Sequence, residues 1–283
     1  MTTVLPLVRD ARLLHPASMN TAKPQGAHPE DYPRAALVTG AGRRIGRAIA
    51  LDLARHGWAM ALHHNLSEDE AATLAREIEA AGGRTVTLKA DLAVERESAA
   101  LIPRATEALG PLGCLINNAS VFTHDEVETA SRESWDWHIE ANLRAPLVLT
   151  QAFARALPAP QGGAVVNLLD QRVWNLTPHF LSYTVSKSAL WTLTRTLALA
   201  LAPRIRVNAI GPGPTLPSAR QTLAQFEAQC ASLPLGRGAT PEEIAAGVRF
   251  LLAARSMTGQ MIALDGGQHL GWAQPGPNHL DDE

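Results

Sequence analysis

From Ala35 onward, short apolar runs alternate with longer amphipathic stretches, the pattern of repeated strand–helix units around a parallel sheet. AALVT (35–39), WAMALHH (58–64), RTVTLKA (84–90), CLINNA (114–119), AVVNLL (164–169), IRVNAI (205–210) and QMIALD (260–265) read as strands. Between them lie helical patterns with recognisable ends. SEDEAATLAREIEAAGG starts at Ser67, where Ser67 and Glu70 have capping-box spacing and Gly82 is a plausible stop. TPEEIAAGVRFLLAA repeats the logic, with Thr240 as cap, Pro241 at the first helical position and Glu243 closing the box. No internal repeat and no change of composition follows residue 34, so 34–283 is expected to be one α/β domain: a single doubly wound parallel sheet of about seven strands, Rossmann-type, with helices on both faces.

Composition narrows the partners. A formal charge of -2 offers no basic field for a phosphate backbone, so nucleic acid is not expected and a small molecule is. No run of about 18 apolar residues is present, so no membrane span is expected. Cys114 and Cys230 lack the spacing of a zinc or redox site and read as buried packing thiols. Residues 1–33 carry only VLPLV as an apolar segment and are expected to be a flexible extension, with a start at Met19 and a transit peptide left open. A cytoplasmic location is expected.

The first strand runs directly into GAGRRIGRAIALDLARHG, a turn opening a helix. A dinucleotide pyrophosphate needs bare backbone amides and a positive helix end, and both occur there. Gly40, Gly42 and Gly46 do not follow the GxGxxG spacing, because residue 45 is Ile. Further on, Tyr183 and Lys187 are one helical turn apart and share a face, so an ammonium can sit beside the phenol oxygen and lower its pKa.

TGAGRRIG (39–46), NNAS (117–120), YTVSK (183–187) and GPGPTL (211–216), in this order, resemble the short-chain dehydrogenase/reductase family over nearly all of 35–272. Arg44 stands where that family has the middle glycine of its TGxxxGxG loop, and in this it resembles the TGxxxRxG loop of the pteridine reductases. The resemblance implies that Arg44 reaches the cofactor pyrophosphate and the substrate edge, using the paired donors that only arginine offers. It also implies a cofactor contact for Gly40, Ile45 and Gly46, an adenine contact for Asp91 and Leu92, a nicotinamide-side contact for Asn118, Ala119 and Ser120, and a loop closing over the nicotinamide at Pro212 and Gly213. Behind that loop the segment 211–226 is expected to act as a substrate lid. Asn142 is implied to support Lys187 through water. Tetramers or dimers are the family's usual assemblies.

The end of the second strand carries His63, His64 and Asn65 where a ribose-gripping acid would stand, so a 2'-phosphate is expected to be welcome. Arg43 occupies the position of the basic residue in NADP-preferring members, and NADP(H) is the expected cofactor. Leu66 departs from the pteridine reductases, which carry arginine there. Glu68, Asp69 and Glu70 read as first-turn helix acids.

In the family a serine precedes the catalytic tyrosine by thirteen residues, and here that position is Asp170. Pteridine reductases share the replacement. A carboxylate can accept from ring N–H groups or, protonated, donate to a ring nitrogen. It also opposes Lys187 electrostatically and raises the phenol pKa, which favours a proton donor. Phe122 matches the pteridine reductase residue that stacks on the pterin, and Trp174 is a candidate for the same wall, with ordinary packing equally open. Trp135 and Trp137 are assigned to packing or a subunit face. The ten histidines contain no HxxxH pair, so no catalytic metal is expected. The reading is NADPH-dependent reduction of a dihydropterin or dihydrofolate-like ring, with Tyr183 as proton donor, Lys187 tuning it, Asp170 orienting the substrate and Asn142 in support. Rivals are a carbonyl or alcohol oxidoreductase and a non-enzymatic NADP(H)-binding sensor.

Overall fold

The computed structural model describes residues 32–218 and 220–271. Seven parallel strands form one sheet: β1 (Ala35–Val38), β2 (Ala59–His64), β3 (Thr85–Lys89), β4 (Cys114–Asn117), β5 (Gly163–Leu168), β6 (Ile205–Pro212) and β7 (Met261–Leu264). Their order is β3-β2-β1-β4-β5-β6-β7. Each segment read as a strand forms one.

Alternation along each strand divides the core in two. Val38, Met60, Leu62, Ile116 and Val166 face one layer, against Ile49 and Leu53 of α1 (Arg44–Arg55), Leu74 and Ile78 of α2 (Glu68–Ala80), and Val248 and Leu251 of α8 (Pro241–Ala253). Leu37, Leu115, Val165 and Val207 face the other, against Leu101 and Ile102 of α3 (Glu95–Leu109), Leu149 and Phe153 of α5 (Ala145–Ala156), and Ala198 of α6 (Leu181–Leu201). Because both faces are covered, β1 and β4 are buried throughout and are apolar except for Asn117. Between β4 and α5 lies α4 (Arg132–Ile139), and α7 (Leu223–Ala231) follows the segment after β6.

Strand order reverses between β1 and β4, and the connections from their carboxyl ends part there to leave a crevice. The glycine loop, Asn118 and the start of α1 all sit at that point.

Helix ends follow the sequence with one exception. Thr240 and Glu243 form the expected capping box, with Pro241 in the first turn. Gly82, at φ +84°, follows the end of α2. Ser67 and Glu70 do not form their box. Ser67 lies against Gly42 of the glycine loop, and Glu70 approaches Arg43 at 3.9 Å. Glu70 is thus turned toward a tertiary partner.

The expected extension, 1–33, falls outside the described residues up to 31. Tyr32 is buried in the core, its hydroxyl accepting from Arg206 Nε at 3.1 Å, and Pro33 packs on Gly113. The folded domain therefore includes Tyr32, ahead of the boundary expected at 34. Cys114 is buried and burial pushes its thiol pKa up, as a packing thiol should be. Cys230 is only half-buried.

Candidate active site

Two glycines are fixed by geometry at the crevice. Gly40 adopts φ +63°, and a Cβ on Gly46 would lie 2.2 Å from Gly40 O and 2.5 Å from Asn118 Nδ2. Asn118 Nδ2 donates to Thr39 O at 2.8 Å and ties β4 to the loop. The first turn of α1 carries no acid and its leading amides have no side-chain cap, so the helix end is suited to an anion.

A cavity of about 570 Å³ opens over this loop. Gly40, Arg43, Arg44, Ile45, Gly46, His63, Asn65, Asp91, Leu92, Asn118, Ala119 and Ser120 all line it. These come from four separate loops at the carboxyl edge of the sheet. Trp137 of α4 also lines it, a residue assigned from sequence only to packing or a subunit face.

His63 has a different task from the phosphate contact expected of it. Gly40 N donates to its Nδ1 at 3.1 Å, and its Nε2 lies 3.1 Å from Ala90 O. With Nδ1 accepting, Nε2 carries the proton and the ring is neutral. Burial, the largest influence, lowers its pKa to about 4. His63 is a clasp for the glycine loop. His64 is buried, with Nδ1 3.4 Å from Asn65 O, and does not line this cavity because adjacent strand residues point to opposite faces. Of the expected phosphate partners, Arg43, His63 and Asn65 line the cavity, and both ring nitrogens of His63 are already engaged. Asp91 Oδ1 accepts from Ala93 N at 2.9 Å, a turn that precedes α3 without capping it.

Arg44 adopts φ +54°, the left-handed conformation that glycine takes without cost and other residues rarely take. Its guanidinium donates to Pro217 O at 2.8 Å and Leu216 O at 3.1 Å, holding the segment after β6 against the glycine loop. Arg44, Ile45, Asn118, Ser120 and Phe122 line both this cavity and a second one of about 300 Å³. The two spaces meet along those side chains.

Asp170, Tyr183, Lys187, Pro212 and Gly213 line the second cavity. Tyr183 Oη donates to Asp170 Oδ2 at 2.9 Å. Asp170 also accepts from Arg172 N at 2.8 Å through Oδ1 and from Arg172 Nη1 at 3.3 Å through Oδ2. Burial and the adjacent Asp170 carboxylate push the Tyr183 pKa well above 10. Desolvation and the carboxylate prevail over the lowering influence of the Arg172 guanidinium. Lys187 Nζ donates to Leu168 O at 2.8 Å and stands 5.7 Å from the Tyr183 ring centre. Burial lowers its pKa to about 8, against the raising influence of Asp170.

Asn142 lies in a π-helical turn, Glu140–Arg144, a distortion common at functional sites. Its Oδ1 accepts from Val121 N at 2.8 Å, and its Nδ2 donates to Val121 O at 3.0 Å and Ser186 Oγ at 3.1 Å. It thereby fastens the loop of Ser120 and Phe122 to the helix of Tyr183 and Lys187.

Phe122 stacks on Phe180, centres 4.4 Å apart and planes 11° apart, and meets the Tyr183 ring edge-on at 4.7 Å. Arg172 and Arg220 lie over the same pair, Arg220 at 5.0 Å from the Phe122 centre. Phe180, Arg172 and Arg220 were not singled out from the sequence. Arg172 was detectable as a cation two residues after Asp170, whereas Phe180 and Arg220 reach the site only through the fold. Trp174 does not line the cavity. It packs edge-on against Trp191 and His269 because the 3-10 turn Gln171–Val173 swings it outward.

Spacing in the sequence disclosed no ligand pair, but the fold gathers His124, Glu126 and His179, ligand atoms within 4.8 Å of one another. His179 Nδ1 is 2.7 Å from Glu126 Oε1. That is a hydrogen-bonded pair, closer than the roughly 3.3 Å edge of ligands sharing a zinc with bonds of about 2.0–2.1 Å.

Residues 40–269 match the family described as enoyl-(acyl carrier protein) reductase. The solved FolM alternative dihydrofolate reductase 1 from Brucella canis, complexed with NADP, is 50% identical, with a TM-score of 0.84 over 88% of this chain and 98% of that one. The Brucella suis FolM alternative dihydrofolate reductase 1, also with NADP, is 51% identical, with a TM-score of 0.83 over 85% and 97%. The 3-oxoacyl-[acyl-carrier-protein] reductase FabG of Staphylococcus aureus (strain Mu50 / ATCC 700699) is 31% identical over 84% of this chain and 98% of its own. The chain belongs to the short-chain dehydrogenase/reductase family, a class of oxidoreductases.

Proposed function

We propose that this protein reduces a pterin ring, a dihydropterin or a dihydrofolate-like substrate, with NADPH. The observation that carries the reading is the bond from Tyr183 to Asp170, a carboxylate at the position where the family ordinarily has a serine hydroxyl. The likeness to two FolM alternative dihydrofolate reductases, each solved with NADP, supports it. The crevice fits a dinucleotide: the clash-bound glycine loop, the acid-free helix start and the adjoining cavity form a cradle with Arg43 at its rim.

The cofactor, when bound, supplies the hydride. Tyr183 holds its proton throughout the neutral range and is placed to give it up at the cavity wall. Lys187, cationic below about pH 8, counters the charge that remains on the phenol oxygen after transfer. Asp170 accepts all three of its described hydrogen bonds, so toward a substrate it suits N–H groups on an aminopyrimidine edge. A simple ketone has no such donor. Phe122, backed by the fully buried Phe180, provides an apolar aromatic wall for a planar ring.

A homo-oligomer in the cytoplasm belongs to the same reading. Exposed Trp135, Leu199 and Phe250 are apolar side chains on helix surfaces that an assembly would cover.

The test is a spectrophotometric panel following NADPH oxidation with dihydropterins, dihydrofolate and simple ketones. Turnover with the reduced pteridines is expected to exceed that with any ketone. Efficient ketone reduction without pteridine turnover would replace this reading with that of a carbonyl reductase.

A further inference from the structure

Behind Tyr183 lies a polar group that the chemistry above does not use. Asp125, His138 and Ser182 are buried together, at 2%, 0% and 0% exposure, and come from the loop after β4, from α4 and from the first turn of α6. Thr123 N donates to His138 Nε2 at 3.1 Å. His138 Nδ1 lies 2.7 Å from Ser182 Oγ, and Ser182 Oγ donates to Asp125 Oδ2. Ser182 N donates to Asp125 Oδ1 at 3.1 Å, and Ser134 Oγ to Asp125 Oδ2 at 3.1 Å.

The protons in this chain have one consistent order. A carboxylate accepts only, so the single hydroxyl hydrogen of Ser182 is committed to Asp125. His138 must then carry its proton on Nδ1 to donate to Ser182 Oγ. That leaves Nε2 bare, as the Thr123 N–H requires. The ring is neutral, and burial, which lowers its pKa, favours that state. Reversing any one member sets two donors face to face.

The chain joins the two parts of the substrate wall. Thr123 and Asp125 flank the loop next to Phe122, and Leu181 N adds a 3.1 Å bond to Asp125 O. Ser182 is adjacent to Tyr183, and the His138 ring meets Tyr183 edge-on at 6.0 Å. We propose that Asp125, Ser182 and His138 are positioning residues that lock the Phe122 loop to the Tyr183 turn, fixing the stacking wall relative to the proton donor. The inference rests on the reading of a planar substrate reduced at Tyr183.

Two measurements test it. Histidine ring 15N NMR of the whole protein, with the His138 signals assigned by their loss in His138→Gln, is expected to show the Nδ1–H tautomer. In Asp125→Asn an added N–H donor faces Ser182, whose hydroxyl then turns toward His138 Nδ1 while the Thr123 N–H still demands a bare Nε2, so the His138 15N shifts are expected to move away from the pure Nδ1–H pattern. In kinetics, Ser182→Ala and His138→Leu are expected to lower dihydropterin turnover by about tenfold or more with NADPH affinity within about twofold, because positioning is lost and the cofactor cradle is not. His138→Gln, whose amide can accept from Thr123 and donate to Ser182, is expected to recover most of the rate. A wild-type Nε2–H tautomer, or turnover of both Ser182→Ala and His138→Leu at the wild-type level, overturns the proposal. Wild type that reduces a ketone and no pterin defeats the substrate reading instead, and the tautomer and the same kinetic comparison on that ketone still decide this one.

Discussion

The hydroxyl of Tyr183 donates to Asp170 Oδ2 across 2.9 Å, thirteen residues back along the chain. The phenol is held protonated by burial and by that carboxylate, while the carboxylate is oriented by Arg172. Acid and acceptor are thus one unit. Asp170→Ser supplies the hydroxyl usual in the family but removes the carboxylate that pairs with buried Arg172. Dihydropterin turnover is expected to fall at least tenfold, a floor set below the roughly 10²- to 10⁴-fold of positioned acid–base groups because the new hydroxyl partly offsets the loss. NADPH affinity, followed by fluorescence titration, is expected to hold. Unchanged turnover would remove Asp170 from the chemistry.

Lys187 sets the alkaline behaviour. Its folded pKa of about 8 lies below the ordinary 10.5, so the ammonium is lost as pH rises through about 8 while Tyr183 remains protonated. The reductive rate is expected to decline above about pH 8. Asp170→Asn removes the carboxylate that raises the lysine pKa, so the decline should begin at lower pH. A pH–kcat profile for both proteins checks the direction, and a shift to higher pH contradicts it.

Arg43 faces the larger cavity with the Glu70 carboxylate 3.9 Å away. Both side chains are largely exposed, so this pair is a weak competitor for a phosphate. Arg43→Ala is expected to weaken NADPH by roughly tenfold or more, the worth of about 1.5–3 kcal/mol for a hydrogen bond to a charged group, and to spare NADH. Equal losses for the two cofactors in parallel titrations would falsify the assignment.

Phe122 contacts substrate before and during hydride transfer in the proposed reaction, so its contribution is uniform binding. Phe122→Ala is expected to raise KM by about two- to tenfold, corresponding to about 0.5–1.5 kcal/mol of stacking, with kcat little changed. A dominant fall in kcat in steady-state kinetics would transfer Phe122 to the positioning residues.

His63 links acidity to folding. Its pKa is near 6.5 unfolded and about 4 in the fold, so the unfolded chain binds more protons between those values. Its stabilising contribution is complete above about pH 6.5 and is lost as pH falls through 4, on the order of 3 kcal/mol in all. Protonation also sets Nδ1–H against Gly40 N–H. His63→Gln is expected to flatten the melting temperature between pH 6.5 and 4 relative to wild type. Parallel profiles for the two proteins would show that the clasp does not titrate.

All seven strands, the glycine loop and the Tyr183–Lys187 pair were legible in the chain, because each depends on neighbours a few residues apart. Covered strands need apolar runs, a helix start needs its cap, and two residues four apart must share a helix face. Asp170 was legible by its fixed distance from Tyr183. What the sequence left undecided was every contact whose partners lie far apart along it. His63 became a clasp because strand alternation turned it toward Gly40, and His64 was turned away by the same alternation. Glu70 faces Arg43 instead of closing the box with Ser67, and Trp174 left the cavity for Trp191. Phe180 and Arg172, from the connection before α6, and Arg220, from the segment after β6, gathered on Phe122. Local pattern specifies which side chains reach the carboxyl edge of the sheet, whereas the packing of loops over that edge decides which donor meets which acceptor.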